Sequence, residues 1–245
     1  SAEAAGASGA LGRCIGRERA KGCGLLERVR RDLTDVAGFC RGAVKPTNDL
    51  RGLVGDISRG RTPVAWKRAY VTPSGFGVDA WLPDFVRRMG QILALSTSSE
   101  EWWLGGLFSP ESWITASRQH TAQETQVPLD ELVLTVSRTG AGLAVKGSGV
   151  QFKVKGLQIE GAAWKPAGLA LADAIKAPLP TVLLSWERRT EDAGMAPNLE
   201  IMVPLYLNES RADLLCKVDL TREEGTKAPA FYQRGIGLVA WDAVA

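Results

Sequence analysis

The chain has a single histidine, His120, and only four cysteines among its 245 residues. The positions of Cys14, Cys23, Cys40 and Cys216 fit neither a CxxC knuckle nor a dense disulfide framework. We therefore interpret them as free thiols, most of them buried. Because zinc sites are built mainly from cysteine and histidine, one histidine leaves too few ligands of the usual kinds. We predict no metal site.

The sequence also lacks a phosphate-binding loop of the form GxxxxGK[ST]. The glycine-rich run KGSGVQF at Lys146 leads into a predicted strand instead of a helix, which favours a hairpin turn. No apolar run approaches the ~20 residues of a membrane span. The first residues, SAEAAGASGALG, have no apolar centre typical of a signal peptide. These absences predict no bound cofactor, no membrane partner and a cytoplasmic location.

No catalytic pattern accompanies the lone histidine. His120 could act as a base, but the sequence has no GxSxG elbow or reactive-cysteine signature to pair with it. A packing or surface role is the better interpretation. Adjacent acidic residues at 100–101, 191–192 and 223–224 lie in polar, turn-like segments, whereas acid–base catalysis requires a shielded cleft. We predict no catalytic residue.

Positive charge is concentrated in the first part of the sequence. Residues 1–90 hold 16 Lys and Arg against 9 Asp and Glu, and the remainder holds 14 against 18. The basic residues follow amphipathic helices without interleaved aromatics for base stacking, which argues against nucleic acid. A solvated face or an acidic protein partner is the preferred interpretation. The candidate contact residues are Arg28, Arg30, Arg31, Arg51 and Arg59.

Residues 1–16 are rich in Ala, Gly and Ser, and we predict a flexible linker or an expression remnant outside the core. From about residue 17 to about residue 42, apolar positions recur every three or four residues and predict a long helix. Thr47 is a candidate N-cap for a second helix. A third helix is predicted over residues 81–93, with Asp79 as the candidate cap. We expect Pro83 in its first turn.

A fourth helix has a well-marked start. Ser109 is a candidate N-cap, Pro110 fits the first helical position, and Glu111 faces the positive helix end. Pro128 ends the helical pattern, after which apolar and polar residues alternate as in a strand. A helical subdomain over residues 17–127 is therefore predicted to precede the sheet.

Beyond Pro128 the apolar period changes from about 3.6 to 2. The alternation predicts six or seven antiparallel strands with one buried face, and no parallel βαβ rhythm is visible. Such a set of strands favours a barrel or closed sandwich, because closure protects the sheet edges. The predicted fold class is α+β, with residues 128–245 as an antiparallel β-barrel.

Eight tryptophans allow two interpretations. Core packing is the simpler one, since aromatic rings supply large buried area. The alternative is an exposed Trp platform on a barrel that binds a small molecule or a carbohydrate. The adjacent Trp102 and Trp103 would face opposite sides of a strand, which predicts one of them outside the core.

Two long runs resemble the C-terminal domain of dynein heavy chains. They are LGGLFSPESWITASRQHTAQETQVPLDELVLTV at 104–136 and VPLYLNESRADLLCKVDL at 203–220. Shorter similar runs begin at Leu25, Thr47, Trp81, Gly156 and Phe231. The words RQHTAQ and YLNESRADL favour the cytoplasmic branch of the family. The resemblance implies a helical subdomain followed by an incomplete antiparallel β-barrel.

The resemblance also implies a function. Such a domain would be a non-catalytic, regulatory end of a microtubule motor protein, packed on the ring of AAA+ modules of the same polypeptide and affecting processivity and force. The ATPase modules would lie elsewhere in that polypeptide, in the cytoplasm and on the cytoskeleton. Other dynein subunits or adaptors are further candidate partners. Direct microtubule binding is not expected, because the family's microtubule site belongs to a separate stalk-borne domain.

Overall fold

The computed structural model describes residues 9–70, 72, 76–96, 101–138, 150–173, 175–188 and 199–240. Contacts between Cα atoms divide the protein into two compact units. The helical unit comprises Ile15–Leu95 and Gly106–Phe108. The sheet unit comprises Ser1–Cys14, Ser96–Gly105 and Ser109–Ala245. The predicted boundary between residues 127 and 128 stays a prediction.

The first four helices are α1 (Ala10–Cys40), α2 (Asn48–Ser58), α3 (Val64–Lys67) and α4 (Val78–Ala94). The α+β class and a helical N-terminal part are confirmed. The linker prediction is wrong for residues 10–16, which form the first turns of α1. Apolar side chains explain the difference, because they favour ordered burial despite the neighbouring glycines. The buried ones are Ala10, Leu11, Cys14 and Ile15.

The starts of α2 and α4 differ in kind. Thr47 caps α2 as predicted, its side-chain oxygen accepting the N–H of Leu50 at 3.2 Å. Asp79 does not cap α4, because the helix starts after Gly77. A Cβ on Gly77 would lie 2.8 Å from the carbonyl oxygen of Gly60, so glycine permits this close approach. The earlier start places Pro83 in the second turn, not the first.

Aromatic rings form the core of the helical unit. The Trp81 and Phe85 rings of α4 lie 4.9 Å apart between centroids, and Tyr70 stacks on Trp81 at 5.4 Å. Trp66 lies 5.3 Å from Trp81, and its indole N–H donates to the Asp32 carboxylate at 2.7 Å. Offset and tilted aromatic pairs of this kind stabilise the core beyond the contribution of the apolar area that they bury.

A buried ion pair lies beside these rings. Asp84 and Arg88, one turn apart on α4, are 0% and 1% exposed, and Arg88 Nε donates to Asp84 at 2.8 Å. Arg88 also donates to the carbonyl oxygen of Leu107 at 3.3 Å and lies 4.1 Å from the Tyr70 ring centroid. Burial raises the pKa of the Tyr70 hydroxyl well above its ordinary value. The pair is a structural element of the helical unit.

The sheet unit contains eleven strands among the described residues. In sequence order they are β1 (Glu101–Trp103), β2 (Leu132–Arg138), β3 (Gln151–Lys155), β4 (Gln158–Glu160), β5 (Ala162–Lys165), β6 (Gly168–Leu171), β7 (Ala177–Pro178), β8 (Val182–Arg188), β9 (Glu200–Tyr206), β10 (Leu214–Thr221) and β11 (Gly237–Val239). Helix α5 (Pro110–Thr125) precedes β2, and the short α6 (Ala228–Gln233) precedes β11. Leu104–Gly106 and Leu129–Glu131 form 3₁₀ turns.

The predicted six-stranded antiparallel barrel is wrong in detail. Nine strands form one mixed sheet in the order β1-β3-β8-β2-β10-β9-β11-β4-β7, and β5 pairs only with β6. Three neighbouring pairs are parallel: β1 with β3, β2 with β10, and β9 with β11. Alternation of side chains has the same period in both strand directions, so it does not reveal the direction. The parallel neighbours are distant in sequence, which leaves room for the long connections that parallel pairs require.

Helix α5 packs on the sheet through Trp113, whose ring lies 5.3 Å from both Trp102 of β1 and Phe152 of β3. Pro110 lies in its first turn as predicted, but the Ser109 side chain makes no capping hydrogen bond. Trp102 and Trp103 are 1% and 4% exposed, so the prediction that one lies outside the core is wrong. Strand β1 is followed directly by the 3₁₀ turn at Leu104, within a stretch buried from 102 to 107.

Candidate interaction surfaces

The five candidate arginines are exposed on two helices. Arg28, Arg30 and Arg31 lie on α1, Arg51 lies on α2, and Arg59 is the residue that ends α2. Within the described part of the protein, none of the five makes an ion pair. Their charges are therefore available to solvent or to a partner. The identity of that partner stays a prediction.

The geometry of α1 separates these residues into two faces. At about 100° per residue, Arg28 and Arg31 lie within about 60° of each other, whereas Arg30 lies about 160° from Arg28. Arg17 and Lys21, which are not among the five predicted candidates, fall on the same face as Arg28 and are also exposed. We call Arg17, Lys21, Arg28 and Arg31 the basic stripe. It is about 21 Å long at 1.5 Å per residue.

The spacing of the basic stripe was present in the sequence. Steps of four, seven and three residues between basic positions keep them on one helical face. Because residues 1–16 were predicted to be a linker, Arg17 fell at the predicted start of the helix. At that position it was not recognised as part of a continuous basic face. On α2, Arg51 and Arg59 are eight residues apart, and the neighbouring Arg61 is engaged with Asp56 at 2.7 Å.

The surroundings of His120 favour a packing role over catalysis. His120 is half-buried on α5, its ring centroid 6.5 Å from that of Phe152. Across the residues that can be described, no group of three His, Cys, Asp or Glu side chains could hold a metal ion. Residues 146–149 of the KGSGVQF run lie outside the described residues, so the predicted turn there stays a prediction.

A cleft of about 350 Å³ opens in the sheet unit beside α5. Its walls come from β2 and β10, with Trp186 of β8 and Met202 of β9 alongside. The remaining lining residues are Ile114, Thr115, Arg118, Leu132, Val133, Leu134, Cys216, Lys217 and Asp219. This volume is at the lower end of the range for ligand pockets.

Arg118 organises one end of this cleft. Its Nη2 atom donates to the carbonyl oxygens of Leu129 and Leu132, the latter at 3.2 Å. The guanidinium lies 5.4 Å from the Trp186 ring centroid, and the Trp186 indole donates to Ser117 Oγ at 3.0 Å. The Arg118 Nε atom is buried and has no hydrogen-bond partner among the residues that the structure describes. A buried donor of this kind favours an acceptor group in the cleft.

Cys216 and Lys217 bring different chemistry to the β10 wall. Burial raises the pKa of the Cys216 thiol from 9.0 to about 12, which keeps it neutral at physiological pH. Lys217 is exposed and makes no ion pair with any residue that the structure describes. The cleft therefore presents apolar surface, a neutral thiol and an unpaired cation.

All four cysteines are free thiols, as predicted. The expectation that most of them are buried is wrong, because Cys23 and Cys40 are exposed on α1 and only Cys14 is fully buried. Cys23 lies about 120° around α1 from the buried Val29, on the solvent side of the helix, whereas Cys40 is the last residue of the helix.

The tryptophans do not form an exposed platform within the described residues. Trp66, Trp81 and Trp113 are at most 1% exposed, and Trp186, the one at the cleft, is 7% exposed. Trp164 is intermediate in exposure, and Trp241 lies outside the described residues. Core packing therefore accounts for most of the aromatic content, as the simpler interpretation predicted.

Comparison with known proteins identifies relatives along nearly the whole sequence. A family profile for the C-terminal domain of the dynein heavy chain matches residues 3–240. The protein is 35% identical over 235 residues to the cytoplasmic dynein heavy chain of Dictyostelium discoideum, and 36% over 244 residues to that of Drosophila melanogaster. It is 33% identical over 237 residues to that of Caenorhabditis elegans.

These alignments cover 94%, 96% and 94% of this chain, respectively. They cover 5% of each relative, so the chain spans about a twentieth of the length of the curated relatives it matches. Among the described residues, no helix combines the length and the apolar character that crossing a membrane requires.

Proposed function

Because this protein belongs to the family of C-terminal domains of dynein heavy chains, we propose that it is the non-catalytic regulatory domain of a cytoplasmic dynein motor. In this role it packs on the AAA+ ring of its own heavy chain and modulates processivity and force. The single observation that carries the proposal is the family match over residues 3–240. ATP hydrolysis belongs to other modules of the heavy chain, and the motor acts in the cytoplasm on microtubules.

The basic stripe supports a contact with an acidic surface. Arg17, Arg28 and Arg31 are exposed and make no ion pair within the described residues, so their charge is not neutralised by the helical unit itself. A domain that bridges ring modules changes their motion only if its contacts differ between ring states. We propose the stripe, together with Arg51 and Arg59, as the ring-facing contact, with other dynein subunits or adaptors as further partners.

The test compares two charge reversals on α1 in the motor heavy chain that carries this domain. Arg28→Glu lies in the basic stripe, and Arg30→Glu is its matched control on another face of the same helix. We expect Arg28→Glu to change run length and stall force in single-molecule assays, because it repels an acidic partner. Arg30→Glu should behave like the parent motor.

The two variants also separate function from folding. Both side chains are exposed, so each reversal should change the free energy of unfolding by less than about 0.5 kcal/mol. Equal motility of the parent, Arg28→Glu and Arg30→Glu motors would reject the stripe as a ring contact. Cosedimentation of the isolated domain with microtubules would reject the proposed absence of direct microtubule binding.

A carbohydrate-binding barrel with a Trp platform is the weaker alternative. Six of the eight tryptophans are buried, which removes the platform from solvent in the described residues. A sugar titration that changes the tryptophan fluorescence of the domain would revive this alternative. We expect no change.

A further inference from the structure

Helix α4 is inverted relative to an ordinary surface helix. A surface helix normally turns its charged residues outward and its apolar residues toward the core. In α4 the charged Asp84 and Arg88 are 0% and 1% exposed, whereas Val86 and Leu93 are 68% and 54% exposed. Two charged residues therefore point inward, while two large apolar side chains of the same helix face solvent.

The exposed apolar residues of α4 are aligned. Pro83, Val86, Gly90 and Leu93 are all exposed, and their steps of three, four and three residues keep them on one side of the helix. Arg87, at the border of this set, is partly exposed and lies 3.7 Å from a buried carboxylate. Single exposed apolar side chains need no explanation, whereas an aligned, uncharged set at helical spacing is the pattern of a packing face. We call these four residues the outer face of α4.

Gly90 lies near the centre of this face. No atom lies within 4 Å of its Cβ position, so no contact within the described residues requires a glycine there. Glycine is unfavourable inside a helix, because it loses more backbone freedom on folding than any other residue. On an exposed face it permits the close approach of another backbone. Its position therefore favours a partner that packs across this point, as one helix packs on another.

The outer face is held in place from the core side. Trp81 and Phe85 of α4 are buried in the aromatic core. At the end of the helix, Arg19 of α1 donates to the carbonyl oxygens of Ile92 and Leu93, both at 3.4 Å. A cation at these last carbonyls stabilises the helix end. The face is therefore formed before any partner binds, which lowers the entropic cost of binding.

The size of this face decides what kind of partner covers it. At 1.5 Å per residue and a helix diameter of about 10 Å, its footprint is on the order of 150 Å². Two free proteins that form a stable complex bury about 800 Å² each. The face is therefore too small to hold a second copy of the chain or a separate protein by itself. A partner on the same polypeptide needs less area, because the tether raises its effective concentration to about the millimolar range.

We propose that the outer face of α4 packs on an uncharged, apolar helix face of another module of the same heavy chain. The inference rests on the proposed function, and the relatives in which such modules would lie are about twenty times longer than this chain. Val86 and Leu93 enter grooves of the partner helix, and Gly90 lets the two helix axes approach to about 8 Å. Because the contact is apolar, it should persist at salt concentrations that screen the basic stripe.

The test places a thiol on this face. Leu93→Cys is made in the 245-residue protein and in the motor heavy chain that carries it, and alkylation at position 93 by iodoacetamide is followed by mass spectrometry. Alkylation should be at least about tenfold slower in the heavy chain, because the reaction there requires local opening of the contact. The exposed native Cys23 is the internal reference and should react equally in both proteins. Salt at about 0.5 M should leave the protection at position 93 in place.

Matched variants of the Leu93→Cys heavy chain test the nature of the contact. Val86→Glu should restore the alkylation rate of the 245-residue protein, because packing would bury a carboxylate without a partner. Gly90→Leu should do the same by blocking the close approach, although leucine is the better helix former. Ile175→Glu is the control, because Ile175 is 70% exposed but lies in the sheet unit. It should leave the protection unchanged, and thermal melts of the 245-residue variants establish that each fold is intact.

Four results would overturn the proposal. The first is equal alkylation at position 93 in the two proteins, and the second is equal slowing at Cys23, which would show protection that is not specific to α4. The third is slower alkylation of the 245-residue protein as its own concentration rises, which would identify a second copy as the partner. The fourth is protection that requires the addition of other dynein subunits.

The contact and the regulatory function can fail separately. Protection at position 93 in a heavy chain whose motility is unchanged by removal of the domain would reject the regulatory function and support the contact. Loss of protection in the Val86→Glu and Gly90→Leu heavy chains, but not in the Ile175→Glu heavy chain, supports helix packing on the outer face of α4.

Discussion

The helical unit and the sheet unit differ in how their charge is distributed. The helical unit has 15 Lys and Arg against 8 Asp and Glu, and its basic stripe lies on the surface of one long helix. The sheet unit has 15 against 19, and its cleft beside α5 is lined by two basic residues and one acidic residue. The comparison shows that the two units present different surfaces: exposed cations along one helix in the helical unit, and a cleft with mixed apolar and charged lining in the sheet unit.

Their cores differ as well. Stacked rings beside a buried ion pair form the core of the helical unit. The sheet unit combines aliphatic strand faces with the rings that pack on Trp113, and it brings Gly105 against the main chain of Ala240. Stability in the first unit should therefore depend on specific polar partners. Stability in the second should depend on the absence of side-chain volume at particular glycines. Substitutions in each unit test this contrast.

Arg88→Ala should destabilise the helical unit by about 3–5 kcal/mol, because it leaves the buried Asp84 carboxylate without its partner. The control is Arg87→Ala, since Arg87 is partly exposed and lies 3.7 Å from Asp84. It should cost less than about 1 kcal/mol. Urea unfolding followed by circular dichroism measures both. Equal losses in the two variants would show that burial does not decide the contribution.

Gly105→Ala should destabilise the sheet unit by about 1–3 kcal/mol, the range for overpacking. A Cβ at Gly105 would overlap the carbonyl oxygen of Ala240 and lie 3.0 Å from its carbonyl carbon. Gly90→Ala in α4 is the matched control, because no atom lies within 4 Å of its Cβ position. Hydrogen exchange at 101–105 and 237–240 should accelerate in the first variant alone. Unchanged exchange there would contradict the close approach.

Cys216 should alkylate at least about tenfold more slowly than Cys23 or Cys40 at about pH 8, because burial keeps its thiol protonated. Its rate should rise steeply as pH increases toward about 12. Since the folded pKa exceeds the unfolded value of 9.0, this thiol's contribution to stability is complete below pH 9.0 and falls as pH rises toward about 12. Mass spectrometry of iodoacetamide-treated protein gives the rates. Equal rates at all three sites would contradict the burial of Cys216.

Gly24→Ala should stabilise α1 by about 0.5–1 kcal/mol, the smallest effect in this series. Gly24 lies on the exposed side of the helix with no atom within 4 Å of its Cβ position. Gly22→Ala is the contrasting variant, because its Cβ would lie 2.9 Å from Met89 Sδ and 3.2 Å from Phe108. The midpoint temperature of thermal unfolding should rise for Gly24→Ala and not for Gly22→Ala. A rise in both variants would show that the Met89 side chain moves away from the added methyl group at little energetic cost.

The elements that sequence predicted well are those with a local signal. The apolar positions from Leu25 to Val36 lie within α1, and the cap Thr47 directly precedes α2. Neighbouring residues are therefore enough to predict these two helices. The alternation at Phe152 and Val154 likewise matches a strand whose faces differ in burial. The β5–β6 hairpin was missed, because Pro166 and Gly168 in so short a stretch resembled a simple turn.

The features that sequence did not predict depend on distant pairing. Strands β2 and β10 pair in parallel through Thr135 and Asp219, which are 84 positions apart in the sequence. The sequence of either strand alone does not identify its neighbour or the direction of pairing. The cleft therefore had no local signal. The exposed arginines were found from charge alone, but only helix geometry separated Arg30 from the stripe.

The most direct test of the account is the removal of this domain from a motor heavy chain that carries it. Single-molecule motility and ATPase assays would compare the truncated and complete motors. We predict that the truncated motor still hydrolyses ATP and moves on microtubules, with altered run length and stall force. Identical run length, stall force and ATPase coupling in the two motors would contradict a regulatory role for the domain.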